Sequence, residues 1–432
     1  MRARWVWLII AIGLVGFGLA GCIAARLPNV TLDPALAPPA PAPILGPFGQ
    51  DAPISTRHDW ETRRAPLLRQ AFATEIYGPY PAHIIPPRLL SRDVISYAPL
   101  AGEAQIEQWS VAVGGADRPL HFNMIIVMPA QARGPAPVIV MQNFCGNRAA
   151  FRDPPATIAG PLTPVFPGCE GGWETPLVEL VFGRHIMVPP YRQILARGYA
   201  LAMFYAGDVV GDEAESARAG LAQLYGEDAP RAGALAAWAW LYSQAYDVIA
   251  ADARFDAAHI AVWGHSRNAK AALLAGANDA RIAAVIAHQS GRGGASLNRS
   301  DAGESIAEIM GAYPWWFPPA YARAAESAVD QDDLIALIAP RPVLLGNSRR
   351  DAWADPLGAW RAAESASPVY ELYGEGGLVQ PDMRRPNLRA GIGFYTRDGL
   401  HGVHSQDWDV FLEFLDAHFR AEAPQSGRQP SR

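Results

Sequence analysis

The sequence predicts an α/β fold of three layers, with helices on both faces of a mostly parallel central sheet. Three observations predict it. Short apolar runs rich in β-branched residues, such as Pro137-Val138-Ile139-Val140-Met141, alternate along the chain with segments of helical period. One apolar run, His259-Ile260-Ala261-Val262-Trp263, passes through a tight turn straight into a helix-forming stretch. The 432 residues, 50% of them hydrophobic, are enough to bury a large core.

Composition excludes several functions. Charged residues make up 18% and the net charge is -6, with no basic face, so nucleic acid is not expected as a partner. The three cysteines, Cys22, Cys145 and Cys169, form no C-x-x-C, and there is no H-E-x-x-H. Neither a metal nor another cofactor is expected. A Cys145–Cys169 disulfide and two free thiols are both open. There is no internal repeat.

Taken in order, residues 1–21 read as an export segment. Arg2 and Arg4 precede the apolar run 5–20, and Leu19-Ala20-Gly21-Cys22 resembles a bacterial lipobox, in which the cysteine is acylated and becomes the mature N-terminus. An uncleaved signal anchor is the other reading, although the run is short for a bilayer span. Both place the protein outside the cytoplasm, in the periplasm or at the cell surface. Residues 22–58, with Pro38-Pro39-Ala40-Pro41-Ala42-Pro43, are a linker or an extended wrap. The main domain is assigned to 59–422, and 423–432 to a disordered tail.

Leu67, Leu68, Phe72 and Ile76 predict a helix over 60–76. Residues 95–127 are strand-like, and 137–141 form a buried strand followed by the loop Gln142-Asn143-Phe144-Cys145-Gly146-Asn147. Pro and Gly make 150–185 an irregular insertion over the sheet. A helix over 191–197 leads into a strand over 198–205 and then Gly207-Asp208. In 234–252 Trp238, Leu241, Ala245 and Ile249 share one helix face.

The strand 259–263 and the helix 269–275 enclose Gly264-His265-Ser266-Arg267. A nucleophile elbow has this form: the turn lifts a hydroxyl to the carboxyl end of a sheet, at a helix N-terminus. The G-x-S-x-G pattern is incomplete, because Asn268 stands in place of the second glycine, and a serine N-cap is the plain alternative. Arg267 and Lys270 extend the pattern to G-x-S-R-x-x-K. This resembles the G-C/H-S-R-x-G-K signature of glucuronoyl esterases, the fifteenth carbohydrate esterase family, with Ala269 where that family normally has glycine. Asn143-Phe144-Cys145-Gly146-Asn147 also resembles its bacterial members. The resemblance runs from about residue 60 to 420 and implies an α/β-hydrolase fold, in which the 142–147 loop lies beside the oxyanion site.

Beyond the elbow, a strand over 282–287 leads to His288-Gln289-Ser290-Gly291-Arg292-Gly293-Gly294, and 295–325 is irregular and aromatic. A late strand over 341–346 precedes Asp351-Ala352-Trp353-Ala354-Asp355-Pro356. Arg397-Asp398-Gly399-Leu400-His401 precedes a helix over 408–419. A serine hydrolase of this fold orders its triad Ser, acid, His, each on a loop at the carboxyl end of a strand. Ser266, Asp351 and His401 fit that order. His404 and Asp355 are the competing base and acid. The register R-x-G-x-H with a following Asp407-Trp408 resembles the family's terminal motif and selects His401. His265, beside the nucleophile, is expected to pack beneath the turn.

Many glucuronoyl esterases carry a glutamate in a Glu-Ser-Gly sequence after the strand preceding Asp351's, and here that place reads Gln289-Ser290-Gly291. Glutamine can hydrogen-bond an imidazole but cannot stabilise imidazolium by charge, so the acid stays open between Asp351 and another group. The resemblance further implies that Arg267 serves the oxyanion, and that Lys270, Glu304 and Trp353 contact the sugar.

The expectation is an exported, lipid-anchored, monomeric carboxylic-ester hydrolase acting on a glucuronic-acid ester of a plant polysaccharide, such as a lignin–xylan link. An acetyl xylan or other short-chain carbohydrate esterase is the alternative. A catalytically inactive carbohydrate-binding lipoprotein is the contrasting class, and Gln289 is the residue that keeps it open.

Overall fold

The computed structural model describes residues 29–82, 85–115, 119–165, 169, 179 and 182–420. The export segment, Cys22 and the C-terminal tail lie outside them. Nine strands form one sheet: β1 (Arg88–Val94), β2 (Ala104–Gly114), β3 (Pro119–Pro129), β4 (Ala136–Gln142), β5 (Ala200–Phe204), β6 (Phe255–His265), β7 (Ala284–His288), β8 (Val343–Ser348) and β9 (Ile392–Arg397). Their order is β1-β2-β3-β5-β4-β6-β7-β8-β9. The pairings β1–β2, β2–β3 and β3–β5 are antiparallel, and all those from β5 through β4 to β9 are parallel.

The alternation of side chains along β6 shows how the core is divided. Ile260 and Val262 face one side of the sheet, Ala261 and Trp263 the other, and all four are buried. The first side is covered by the helices Ala234–Ala250 and Arg267–Asn278, the second by the helix Ser405–Phe419, whose Trp408 stacks on Trp263 with ring centroids 5.3 Å apart. A parallel sheet covered on both faces requires apolar residues at every position, which is why its strands read as continuous runs.

Some elements differ from the sequence reading. The 95–127 stretch is the hairpin β2–β3 preceded by a loop. β1 went unread because it is an edge strand whose residues are nearly all exposed, which removes the apolar signal. Helix 234–250 is buried on all sides except at Asp247 and Ala250, not along one stripe. The irregular 295–325 region contains a helix, Ile306–Ala312, started by a capping box between Ser305 and Glu308. Residues 29–56 lie along the domain surface. Ile44 and Ile54 are buried, and Arg64 donates to the carbonyls of Ile44 (2.8 Å) and Gly46 (2.6 Å) while pairing with Asp51.

Candidate active site

Every parallel strand ends at the same edge of the sheet, so the loops after β4, β6, β7, β8 and β9 converge there. Ser266 occupies the turn after β6, with φ 54° and ψ -126°, a conformation that costs a non-glycine residue about 1–3 kcal/mol. Neighbouring contacts hold it. Ser266 N–H donates to His288 O at 2.9 Å. A Cβ on Gly264 would overlap the Asn268 backbone, so the strand and helix close on each other only over a glycine. Asn268, which replaces the second glycine of the pattern, is buried and donates Nδ2–H to Gln142 O at 3.1 Å, tying the helix start to the end of β4. Ala269 is fully buried.

His401 lies on the loop after β9, and its Nδ1 is 2.6 Å from Asp351 Oδ2. Asp351 is buried, and its second oxygen accepts from Ala354 N–H at 3.3 Å. The competing residues serve structure. Asp355 caps the helix Pro356–Glu371 and accepts from Ser296 Oγ at 2.6 Å, and His404 sits at the N-cap of the helix Ser405–Phe419. Gln289 does not hydrogen-bond the imidazole; its amide binds the backbone of Leu400 and Gly402 instead. His265 is buried beneath, its ring centroid 4.6 Å from that of His401 and its Nδ1 3.2 Å from His288 Nδ1. Burial first, and then the neighbouring His401, hold His265 well below the usual histidine range; burial and Arg397 do the same for His288. Both are neutral at pH 7, so neither imidazole sets a positive charge under His401, and the charge of the nearby Arg397 is paired with Asp407.

Ser266 and His401 line a cavity of about 310 Å³. Lys270, Ser290 and Glu304 give it a polar side, and Phe144, Phe182, Met187 and Trp316 an apolar one. Arg267 lines it too, its guanidinium 4.8 Å from the Phe144 ring centroid and 5.5 Å from that of Trp316. Its Nε is 2.5 Å from Asp212, whose other oxygen accepts the indole N–H groups of Trp315 (3.0 Å) and Trp316 (2.8 Å). Asp212 thus offsets the cost of a cation at a helix N-terminus. The sequence reading missed it, and its only signal was a Gly-Asp pair in the loop after a strand.

Lys270 is buried, and its ammonium donates to Ser290 O and Arg292 O, each at 2.6 Å. Burial, opposed by the nearby Glu304, pushes its pKa down to about 8. An ammonium has three N–H groups, so one remains for the cavity. Arg292, also buried, donates to Asn298, Ser300, Ala302 and Glu304 carbonyls and so shapes the loop that presents Glu304. Glu304 N–H donates to Trp353 O at 3.1 Å, which joins the two predicted sugar contacts; the Trp353 side chain is 75% exposed at the rim. Cys145 and Cys169 form a disulfide that also lines the cavity. Among the described residues no His/Cys/Asp/Glu cluster is arranged to hold a metal.

Comparison with known proteins bears on this arrangement. Residues 176–374 match a family model described as glucuronyl esterase, fungi. The chain is 32% identical over 381 residues to carbohydrate esterase MZ0003 of an unknown prokaryotic organism, covering 86% of this chain and 88% of that one. It is 30% identical over 267 residues to a 4-O-methyl-glucuronoyl methylesterase of Phanerochaete carnosa, 56% of this chain and 63% of that one. Among solved structures, the glucuronoyl esterase from Solibacter usitatus aligns with a TM-score of 0.74 at 30% identity, covering 89% of this chain and 100% of that one. A promiscuous CE15 esterase from the marine bacterial metagenome aligns with a TM-score of 0.75 at 29% identity, over 90% and 100%.

Proposed function

The chain belongs to the glucuronoyl esterase family, the fifteenth of the carbohydrate esterases, and hydrolyses carboxylic esters of glucuronic acid; from that premise we propose how its own residues carry the reaction. Ser266 is the nucleophile, His401 the base and Asp351 the acid. A carboxylate on Nδ1 keeps the proton of neutral imidazole there and leaves Nε2 free to accept. Ser266 Oγ attacks the carbonyl carbon of the uronate ester while His401 Nε2 takes the hydroxyl proton. The oxyanion is stabilised by the backbone N–H and guanidinium of Arg267. On collapse the bond to the alcohol oxygen breaks, and His401 returns its proton to that oxygen. A glucuronoyl-serine remains. Water then attacks, giving its proton to Nε2, and Ser266 leaves with that proton, releasing glucuronate. Asp351 stabilises the imidazolium in both steps. Lys270, Glu304 and Trp353 hold the sugar.

The observation that carries this reading is the 2.6 Å Asp351–His401 bond at the wall of the cavity that Ser266 lines. The test compares turnover of a benzyl ester of glucuronic acid with release of acetate from acetylated xylan, alongside labelling by a serine-reactive phosphonate. Turnover of the uronate ester with labelling at Ser266 is expected. Acetate release alone would make it an acetyl esterase, and no labelling would make it a binding protein.

Export, a lipid anchor at Cys22 and a monomeric state complete the proposal. The Cys145–Cys169 disulfide supports an oxidising compartment. Cys22→Ser is expected to move the protein from the membrane to the soluble fraction, where size-exclusion chromatography gives the mass of one chain. Continued membrane fractionation would favour an uncleaved anchor.

A further inference from the structure

We infer that Gln289 is a positioning residue for the general base, and that its place in the fold requires an amide and not a carboxylate. The inference rests on His401 being that base. Gln289 is 1% exposed and lies just past the end of β7, with φ 51°. Its Oε1 accepts from Gly402 N–H at 2.7 Å, and its Nε2 donates to Leu400 O at 3.2 Å. The two bonds straddle His401. A primary amide carries an acceptor and a donor on one planar head, whereas an ionised carboxylate only accepts.

The rest of the loop's surroundings act in the same sense. Arg397 donates to Leu400 O at 3.0 Å and Gly402 O at 2.7 Å, and is itself held by the buried Asp407 at 2.9 Å. On the other side Phe182 O accepts from Val403 N–H at 2.8 Å, and a Cβ on Gly402 would overlap the Phe182 backbone. The peptide groups flanking His401 are therefore fixed by Gln289, Arg397 and Phe182 together. An ionised glutamate at 289 would set an acceptor against the Leu400 carbonyl and break one arm of that clamp: the carbonyl would keep its bond from Arg397 but lose the one from residue 289 and face a repelling carboxylate in its place. A carboxylate acid at 289 and this clamp exclude each other, and the charge opposite the imidazolium falls to Asp351.

The test measures kcat and KM for a benzyl glucuronate ester, and the rate of phosphonate labelling of Ser266, in Gln289→Leu, Gln289→Glu and the double variant Asp351→Asn/Gln289→Glu. Gln289→Leu keeps the shape without the bonds and should lower kcat roughly tenfold, with KM within about twofold. Gln289→Glu should lower kcat at pH 8 at least as far and recover toward wild type as pH falls to 5, because a protonated carboxyl again offers one donor and one acceptor. The ratio of variant to wild type isolates this change. The titratable and charged groups around the clamp and the cavity, namely His265, Lys270, His288, Glu304, Asp351, Arg397, His401, His404 and Asp407, are common to both. Wild-type kcat in Gln289→Leu, a Gln289→Glu at or above wild type at pH 8, or a more than tenfold rescue of Asp351→Asn by Gln289→Glu would overturn the inference. If Gln289→Leu does not fold, the pH ratio of Gln289→Glu decides. The labelling rates decide the question even if the enzyme proves to prefer another ester.

Discussion

Ser266 sits in a turn closed by near neighbours, Gly264 against the Asn268 backbone, and moored by two longer-range bonds, Ser266 N–H to His288 O and Asn268 Nδ2–H to Gln142 O. His401 is held by groups from the ends of β7, β8 and β9 and from the segment around Phe182. The turn of Ser266, the proposed nucleophile, is thus shaped first by backbone sterics within a strand–turn–helix. The loop of His401, the proposed base, depends more on tertiary contacts: beside the nearby Arg397 it is held by hydrogen bonds from the distant Gln289, Asp351 and Phe182. Damage to the first should spread into the fold of the turn, while damage to the second should leave the fold and degrade the chemistry.

The largest effect expected is from Ser266→Ala, which removes the attacking atom from the local half. Turnover of a glucuronate ester should fall by roughly 10⁶, as loss of a serine nucleophile does elsewhere. Circular dichroism should be unchanged, and the strained turn should become no harder to form. A folded variant with near-wild-type turnover would remove Ser266 from its role. Next is Asp351→Asn, which strikes the tertiary half. A comparable change in a serine protease costs ~10⁴ in turnover through the wrong tautomer and lost charge. Melting temperature should move little, and a kcat loss below tenfold would put the acid elsewhere.

Gly264→Ala sharpens the comparison, because it alters no reacting group. Its methyl would overlap backbone atoms of Asn268, so the turn must shift. A displacement of ~1 Å at a reacting group costs about 10² in rate. Here, unlike Asp351→Asn, thermal denaturation should show a clear loss of stability as well. Unchanged melting together with unchanged turnover would show that the elbow is not held by this contact.

The smallest effect concerns Lys270, which belongs to the local helix by sequence and to the 290–292 turn by its bonds. Two of its N–H groups serve the Ser290 and Arg292 carbonyls. Deprotonation leaves an amine with only two, so the donor facing the cavity is the one lost. With the pKa pushed down to about 8, the charged form prevails below that pH and is lost above it. KM for the ester should therefore rise roughly tenfold between pH 7 and 9, after subtraction of spontaneous hydrolysis. Lys270→Met should show a high KM that no longer varies with pH. A flat wild-type profile would mean that this ammonium does not touch the sugar.

The sequence alone determined the parallel strands β4 to β8, though not β9, the form of the elbow and the proposed order Ser266, Asp351, His401 along the chain. The strands and the elbow follow from periodicity or from steric rules between near neighbours, which a linear string contains in full, whereas the choice of His401 rests on the resemblance to the family's terminal motif. Continuous apolar runs mark β4, β6, β7 and β8 because both faces of those strands are covered. The edge strand β1 lacks that signal and escaped. Only the tertiary structure decided what Gln289 and Asp212 do. As letters, Gln289 is an acid position without its charge and Asp212 a loop carboxylate. In the fold, one grips the peptide groups around His401 and the other ties Arg267 to two tryptophans. The partner of a buried hydrogen bond is selected by packing across the whole domain, and no spacing in the sequence encodes which distant backbone group will arrive opposite a given side chain.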